Sequence, residues 1–176
     1  FGIYLSPWDR NHTNYGQQEY IEYYRNQLKE IFNNYGSVYE MWFDGANGGD
    51  GFYGGKNEVR EINRETYYDW PATIKMIKNI DSTTLFFSDA GPDIRWCGNE
   101  QGYVNETNWN LISPDTLFAG KSGIIDLLNT GSIDGNSWIP AEVDVSIRPG
   151  WFYHEDEDSL VKTSEELFNI YLKSVG

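Results

Sequence analysis

Short apolar runs alternate along this chain with stretches whose apolar residues recur at three- and four-residue steps, and that alternation restricts the fold more than any other feature. Residues 1–6 form the first run, which closes at Ser6-Pro7, where the proline ends a strand and opens a polar loop. Over residues 17–35, Ile21, Tyr24, Leu28, Ile31 and Tyr35 share one helical face, and Gly36 supplies the stop. A second run, residues 38–43, ends in Asp44-Gly45 and a Gly-rich loop through Gly55. A helix is expected over 58–79, with Trp70-Pro71 as a break or restart. Residues 84–88 read as a strand covered on both faces, because Leu85, Phe86 and Phe87 are consecutive, and a long loop spans 89–115. A fourth strand is expected within 138–147. The last helix, over 159–175, carries Leu160, Leu167, Ile170, Tyr171 and Val175.

This order points to βα units on a parallel sheet, in one domain with no internal boundary. Two architectures fit, a doubly wound sheet and a (β/α)₈ barrel. Gly45, Gly48 and Gly49 have the wrong spacing for the glycine fingerprint of dinucleotide folds, which favours the barrel. A complete barrel needs roughly 200 residues or more. With 176 residues and about four strands, the expectation is a partial (β/α)₈ barrel, about half of one.

The formal net charge of −14, from 27 acidic and 13 basic residues, argues against nucleic acid or an anionic membrane surface as a partner. One cysteine, Cys97, excludes an internal disulfide framework and leaves the redox compartment undetermined. No stretch is long and apolar enough to span a bilayer. The start at Phe1, without a signal pattern, is read as a mature or truncated form. The chain holds 7 Trp and 13 Tyr, equally fit for an aromatic core and for the faces of sugar rings.

Asp44 closes an apolar strand and precedes a glycine, where a carboxylate is held rigidly at the mouth of a barrel. The plain alternative is an Asp that initiates a turn. Alternation puts Glu40, Trp42 and Asp44 on one face, with Glu40 deeper and structural. For a second carboxylate the residues leave Asp89, Asp93, Glu100, Glu106 and Glu142 open, each also readable as a solvated loop charge. Glu100 has the best surroundings: Trp96 and Tyr103 to desolvate it, Gly98 and Gly102 to let the loop approach a ligand.

Four strings, GIYLSPWDRN (2–11), EMWFDGA (40–46), GPDIRWCGNE (91–100) and EVDVSIRPGWFY (142–153), resemble glycoside hydrolase family 29, the α-L-fucosidases. The resemblance implies a retaining glycosidase with Asp44 as nucleophile and Glu100 as acid/base, and a subgroup that prefers α-1,3- and α-1,4-linked fucose. The implied substrate is a fucosylated oligosaccharide or glycoconjugate, and an exported location follows from the family alone. It also implies His12 as a fucose-binding histidine, Arg95 as an arginine near the sugar, and Trp151 against the apolar side of fucose; Trp96 and Trp138 are weaker candidates. No cofactor is expected. No metal is expected either, since residues 44–50 lack the ligand spacing of a calcium loop. Sequons at Asn11 and Asn105 are read as coincidental, lying in loops where a glycan would obstruct substrate. Another retaining glycosidase and an inactive carbohydrate-binding fragment are the rival readings. A half-barrel has two open edges, so it would need the missing part or self-association to cover them.

Overall fold

The computed structural model describes residues 1–45 and 47–175, apart from the side chains of Thr116 and Val175; Ala46 of the second string and the apolar contact expected of Val175 therefore lie outside the described set. Five strands, β1 (Gly2–Tyr4), β2 (Glu40–Phe43), β5 (Leu85–Ser88), β6 (Ile94–Trp96) and β9 (Ala141–Glu142), form one sheet in that order. Every pairing in it is parallel. Helix α1 (Gln18–Asn34) joins β1 to β2, and α2 (Trp70–Lys78) lies between β2 and β5.

Strand alternation divides the residues of this sheet between two faces. Met41, Phe43 and Phe86 go to the face covered by the helices. Phe43 lies 4.8 Å from the Trp70 ring and 5.6 Å from Phe86, and Tyr24 and Leu28 of α1 complete the buried cluster. Tyr4, Trp42 and Phe87 go to the other face, with ring centroids 5.0 Å and 4.9 Å apart along the row. Helix α1 forms as its periodicity predicts, and Gly36, at φ +87°, turns the chain beyond its end.

Three stretches depart from the expectations. Residues 49–60, expected as loop and helix start, form an antiparallel ribbon of β3 (Gly49–Tyr53) and β4 (Lys56–Arg60). Gly54 and Gly55 both have positive φ, the two-residue turn that suits a twisted hairpin. Helix α2 accordingly begins only at Trp70, with Pro71 in its first turn.

The second departure is β6, inside the expected loop. Parallel strands usually need a crossover of a dozen or more residues; β5 and β6 are joined by residues 89–93 alone. Asp93 makes this possible: its carboxylate accepts the Phe86 N–H at 2.9 Å and its own N–H donates to Phe86 O, while Lys78 Nζ stands 3.4 Å from the same carboxylate.

The third is residues 101–175. The excursion from β6 to β9 contains a small ribbon of β7 (Leu111–Ile112) and β8 (Ser137–Trp138) and the short helix α3 (Ile125–Thr130). Only two residues of the expected strand over 138–147 join the main sheet, and helix α4 (Ser164–Val175) starts after a 3₁₀ turn at Glu155–Leu160. Among the described residues no helix is long and apolar enough to cross a membrane.

Candidate active site

The open face of the sheet ends in a pocket of about 580 Å³ lined by side chains from all five strands or the loops just after them. Asp44 follows β2 directly. The Tyr4 hydroxyl donates to its Oδ2 at 2.6 Å, and the Ser6 hydroxyl donates to its main-chain oxygen at 2.8 Å. Gly45, at φ +75°, lets the chain leave at once. Burial, then the hydrogen bond and charge of Asp44, push Tyr4 up to about 12, so the phenol remains a donor throughout the pH range of ordinary enzymes.

Glu100 reaches the same pocket from the loop after β6. Asn99 shapes that loop, its Oδ1 accepting the Gln101 N–H at 3.0 Å and its Nδ2 donating to Tyr103 O at 2.9 Å. Gly98 and Gly102 flank it with positive φ, and at Gly102 a Cβ would come within 2.7 Å of Ile170 in α4. The Trp151 indole N–H donates to Glu100 Oε2 at 3.3 Å. Glu100 is itself exposed; of the two rings expected to enclose it, Trp96 shares its pocket and donates to Asp144 at 2.6 Å, and Tyr103 is outside the pocket lining.

Two further carboxylates complete the pocket. Asp89, after β5, is pushed up by burial, opposed by the Gly120 N–H at 3.1 Å and reinforced by the charges of Asp44 and Asp144. Asp144, after β9, is also pushed up by burial, with Trp96 pulling it down and Glu100 and Asp44 pushing it up. Two residues further back on β9, Glu142 is raised to about 7 by burial first and then by Glu40 and Asp144. Glu40 is raised by burial. Asp144 and Tyr4 were missed from sequence. Asp144 sits just past the end of an inward-facing strand, the same signal that singled out Asp44, and Tyr4 occupies the corresponding end of β1.

The structure thus brings Asp44, Glu100, Trp96 and Trp151 together and leaves three predicted residues elsewhere. Arg95 is corrected first. It precedes Trp96 on β6, so alternation sends it to the opposite face, where it is fully buried. Its guanidinium donates to the main-chain oxygens of Leu128 at 2.9 Å, Trp109 at 2.8 Å and Ile139, which leaves no fork for a sugar. His12 closes the turn before α1, its Nδ1 accepting the Asn14 N–H at 3.1 Å and its ring 4.3 Å from Tyr23, away from the pocket lining. Trp138 stands 68% exposed on the small β7–β8 ribbon, also away from it. Neither sequon asparagine lines the pocket, which removes the obstruction argument made for them. Among the described residues no group of three or more His, Cys, Asp or Glu side chains is arranged to hold a metal ion.

No family model matches the chain. Comparison with individual proteins is informative. α-L-Fucosidase 1 of Arabidopsis thaliana is 40% identical over 177 residues, covering 99% of this chain. The likeness is to α-L-fucosidases. A solved glycoside hydrolase 29 family member from an unknown rumen bacterium superposes with a TM-score of 0.91 at 52% identity, covering 100% of this chain and 31% of that one. A Ruminococcus gnavus family 29 fucosidase solved in complex with fucose gives 0.75 at 30% identity, over 99% of this chain and 38% of that one. The chain spans only 32% of the length of the Arabidopsis fucosidase, so its likeness to these fucosidases runs along its whole length and along about a third of theirs.

Proposed function

We propose that this chain is the catalytic segment of a retaining α-L-fucosidase, with Asp44 as nucleophile and Glu100 as acid/base. The observation that carries the reading is the meeting of a strand-end carboxylate and a loop carboxylate in one sugar-sized pocket, within a chain similar from end to end to α-L-fucosidases. Tyr4 engages Asp44 Oδ2, so Oδ1 is the oxygen that attacks the anomeric carbon. Glu100, protonated, donates to the departing glycosidic oxygen; as carboxylate it then takes a proton from water, which releases fucose from the covalent intermediate. Asp89 and Asp144 place negative charge around the oxocarbenium-like transition state and accept hydrogen bonds from sugar hydroxyls.

The substrates are terminal α-1,3- and α-1,4-linked fucosides on oligosaccharides or glycoconjugates. On this reading the five parallel strands are five of the eight of a (β/α)₈ barrel. Strands β1 and β9 are its open edges, to be covered by further barrel strands or by a second copy. The deciding experiment uses the full-length protein that carries these residues. NMR of the product formed from an α-L-fucoside should show α-fucose first, and Asp44→Asn should abolish turnover while fucose still binds. Initial release of β-fucose, or turnover by Asp44→Asn, defeats the reading.

A further inference from the structure

Glu100 is a long, exposed side chain on a loop between two glycines, so nothing in its own segment selects one rotamer. Trp151 is held quite differently. The Ser146 hydroxyl donates to Gly150 O and accepts the Arg148 N–H at 3.2 Å, closing a tight loop at its base. Lys162 Nζ donates to Ser146 O at 2.6 Å, and the Arg148 guanidinium pairs with Asp158 at 3.0 Å while lying 4.9 Å over the Tyr153 ring. Gly150, at φ +86°, then turns the chain and delivers Trp151 to the pocket. The main chain that carries Trp151 is thus tied at its base, and the half-exposed indole meets Glu100 through its N–H.

An indole N–H donates and never accepts. An oxygen that receives it is kept without a proton of its own on that side. We infer that Trp151 is a positioning residue for the acid/base: by holding Glu100 Oε2, it directs the acid proton to Oε1 and fixes that oxygen toward the leaving group. In the first step the Oε1 proton passes to the glycosidic oxygen, the bond from that oxygen to the anomeric carbon breaks with its electron pair going to oxygen, and Asp44 bonds to the carbon. In the second step Oε1 takes a proton from water as the water oxygen bonds to the anomeric carbon and the carbon–Asp44 bond breaks, its electron pair returning to the carboxylate. The inference rests on the reading of Glu100 as acid/base, and it gives Trp151 a task beyond contact with the sugar.

The test is Trp151→Phe, which keeps an apolar ring and removes the donor, made in the full-length protein. A fucosyl oligosaccharide needs a proton on its leaving oxygen; 2,4-dinitrophenyl α-L-fucoside does not. The expected result is a fall of about tenfold in kcat/KM for the oligosaccharide, the size of one hydrogen bond to a charged group, and a several-fold smaller loss, that of the trimmed sugar contact, for the activated fucoside. Retained action on the activated fucoside also reports that the variant is folded. Equal losses on both substrates would make Trp151 a sugar contact only, and no loss on either would make the hydrogen bond idle; both overturn the inference. Glu100→Gln, run in parallel, must show the same split in larger form. If it spares the oligosaccharide, the assignment of Glu100 is what fails, and the role of Trp151 falls with it.

Discussion

The two faces of the parallel sheet are built from the same short strands and have opposite characters. The face carrying Met41, Phe43, Phe86 and Arg95 is sealed, the Arg95 guanidinium hydrogen-bonded to main-chain oxygens. The face carrying Tyr4, Trp42, Trp96 and Glu142 is open at its end and acidic, with ionisable groups displaced by burial and by one another. A single step along β6, from Arg95 to Trp96, crosses from one to the other. Identity of residue type says little here; the parity of a position decides whether a polar side chain serves the framework or the pocket.

The comparison is broken most sharply at Asp44. On the proposed reading, Asp44→Asn should lower turnover of a fucoside on the order of 10⁴-fold or more, with the thermal midpoint almost unmoved. Arg95→Met should do the reverse. It leaves three interior oxygens without donors and should destabilise by roughly 3 kcal/mol in denaturant unfolding, while KM in the fraction that remains folded stays unchanged. A pronounced rise in KM instead would return Arg95 to the sugar site. Tyr4→Phe removes the donor to Asp44 and should cut kcat by about ten- to a hundredfold without changing the fold, read by steady-state kinetics and circular dichroism.

The smallest effect is at Glu142. Its folded pKa of about 7 stands above the ordinary carboxylate value, so its charged form is disfavoured in the folded state. The penalty is absent below the ordinary value and complete above about 7; stability therefore falls as pH rises through that window. Discounted for a half-buried site, about 1 kcal/mol is at stake, so Glu142→Gln should raise Tm by about 2–4 °C at pH 8 and leave it unchanged at pH 4. A pH-independent gain would mean that packing rather than charge sets the effect.

Much of the sealed face was legible in the sequence, because long amphipathic periodicity and consecutive apolar residues survive into the structure: α1, β2 and β5 lie where the pattern puts them. The same pattern placed Asp44 at a strand end. Elements of two or three residues inside long polar stretches leave little trace, which hid β6 and β7 and blurred the bounds of β9. The ribbon at residues 49–60 was hidden for another reason: its Gly-Gly turn was legible, but strands as polar as Lys56–Arg60 carry no apolar alternation. Arg95 was misplaced through the resemblance alone. Had β6 been recognised, counting from Trp96 would have turned it outward. Asp144 was open to the reasoning applied to Asp44 and was passed over because β9 was drawn too long, through position 147.

The five-residue link between β5 and β6 has a consequence for how the chain tolerates change. Residues 89–93 set the offset between the strand that neighbours Asp44 and the strand that leads to Glu100. An insertion there would slide the Glu100 side of the pocket past the Asp44 side. The stretch from position 101 to 140 is pinned at points instead, by the Gly120 N–H on Asp89 and by Arg95 on the oxygens of Trp109, Leu128 and Ile139, so it can lengthen or shrink only between them. Length is frozen at one joint and negotiable at the next, so natural variants should differ in what surrounds the pocket far more than in the spacing across it.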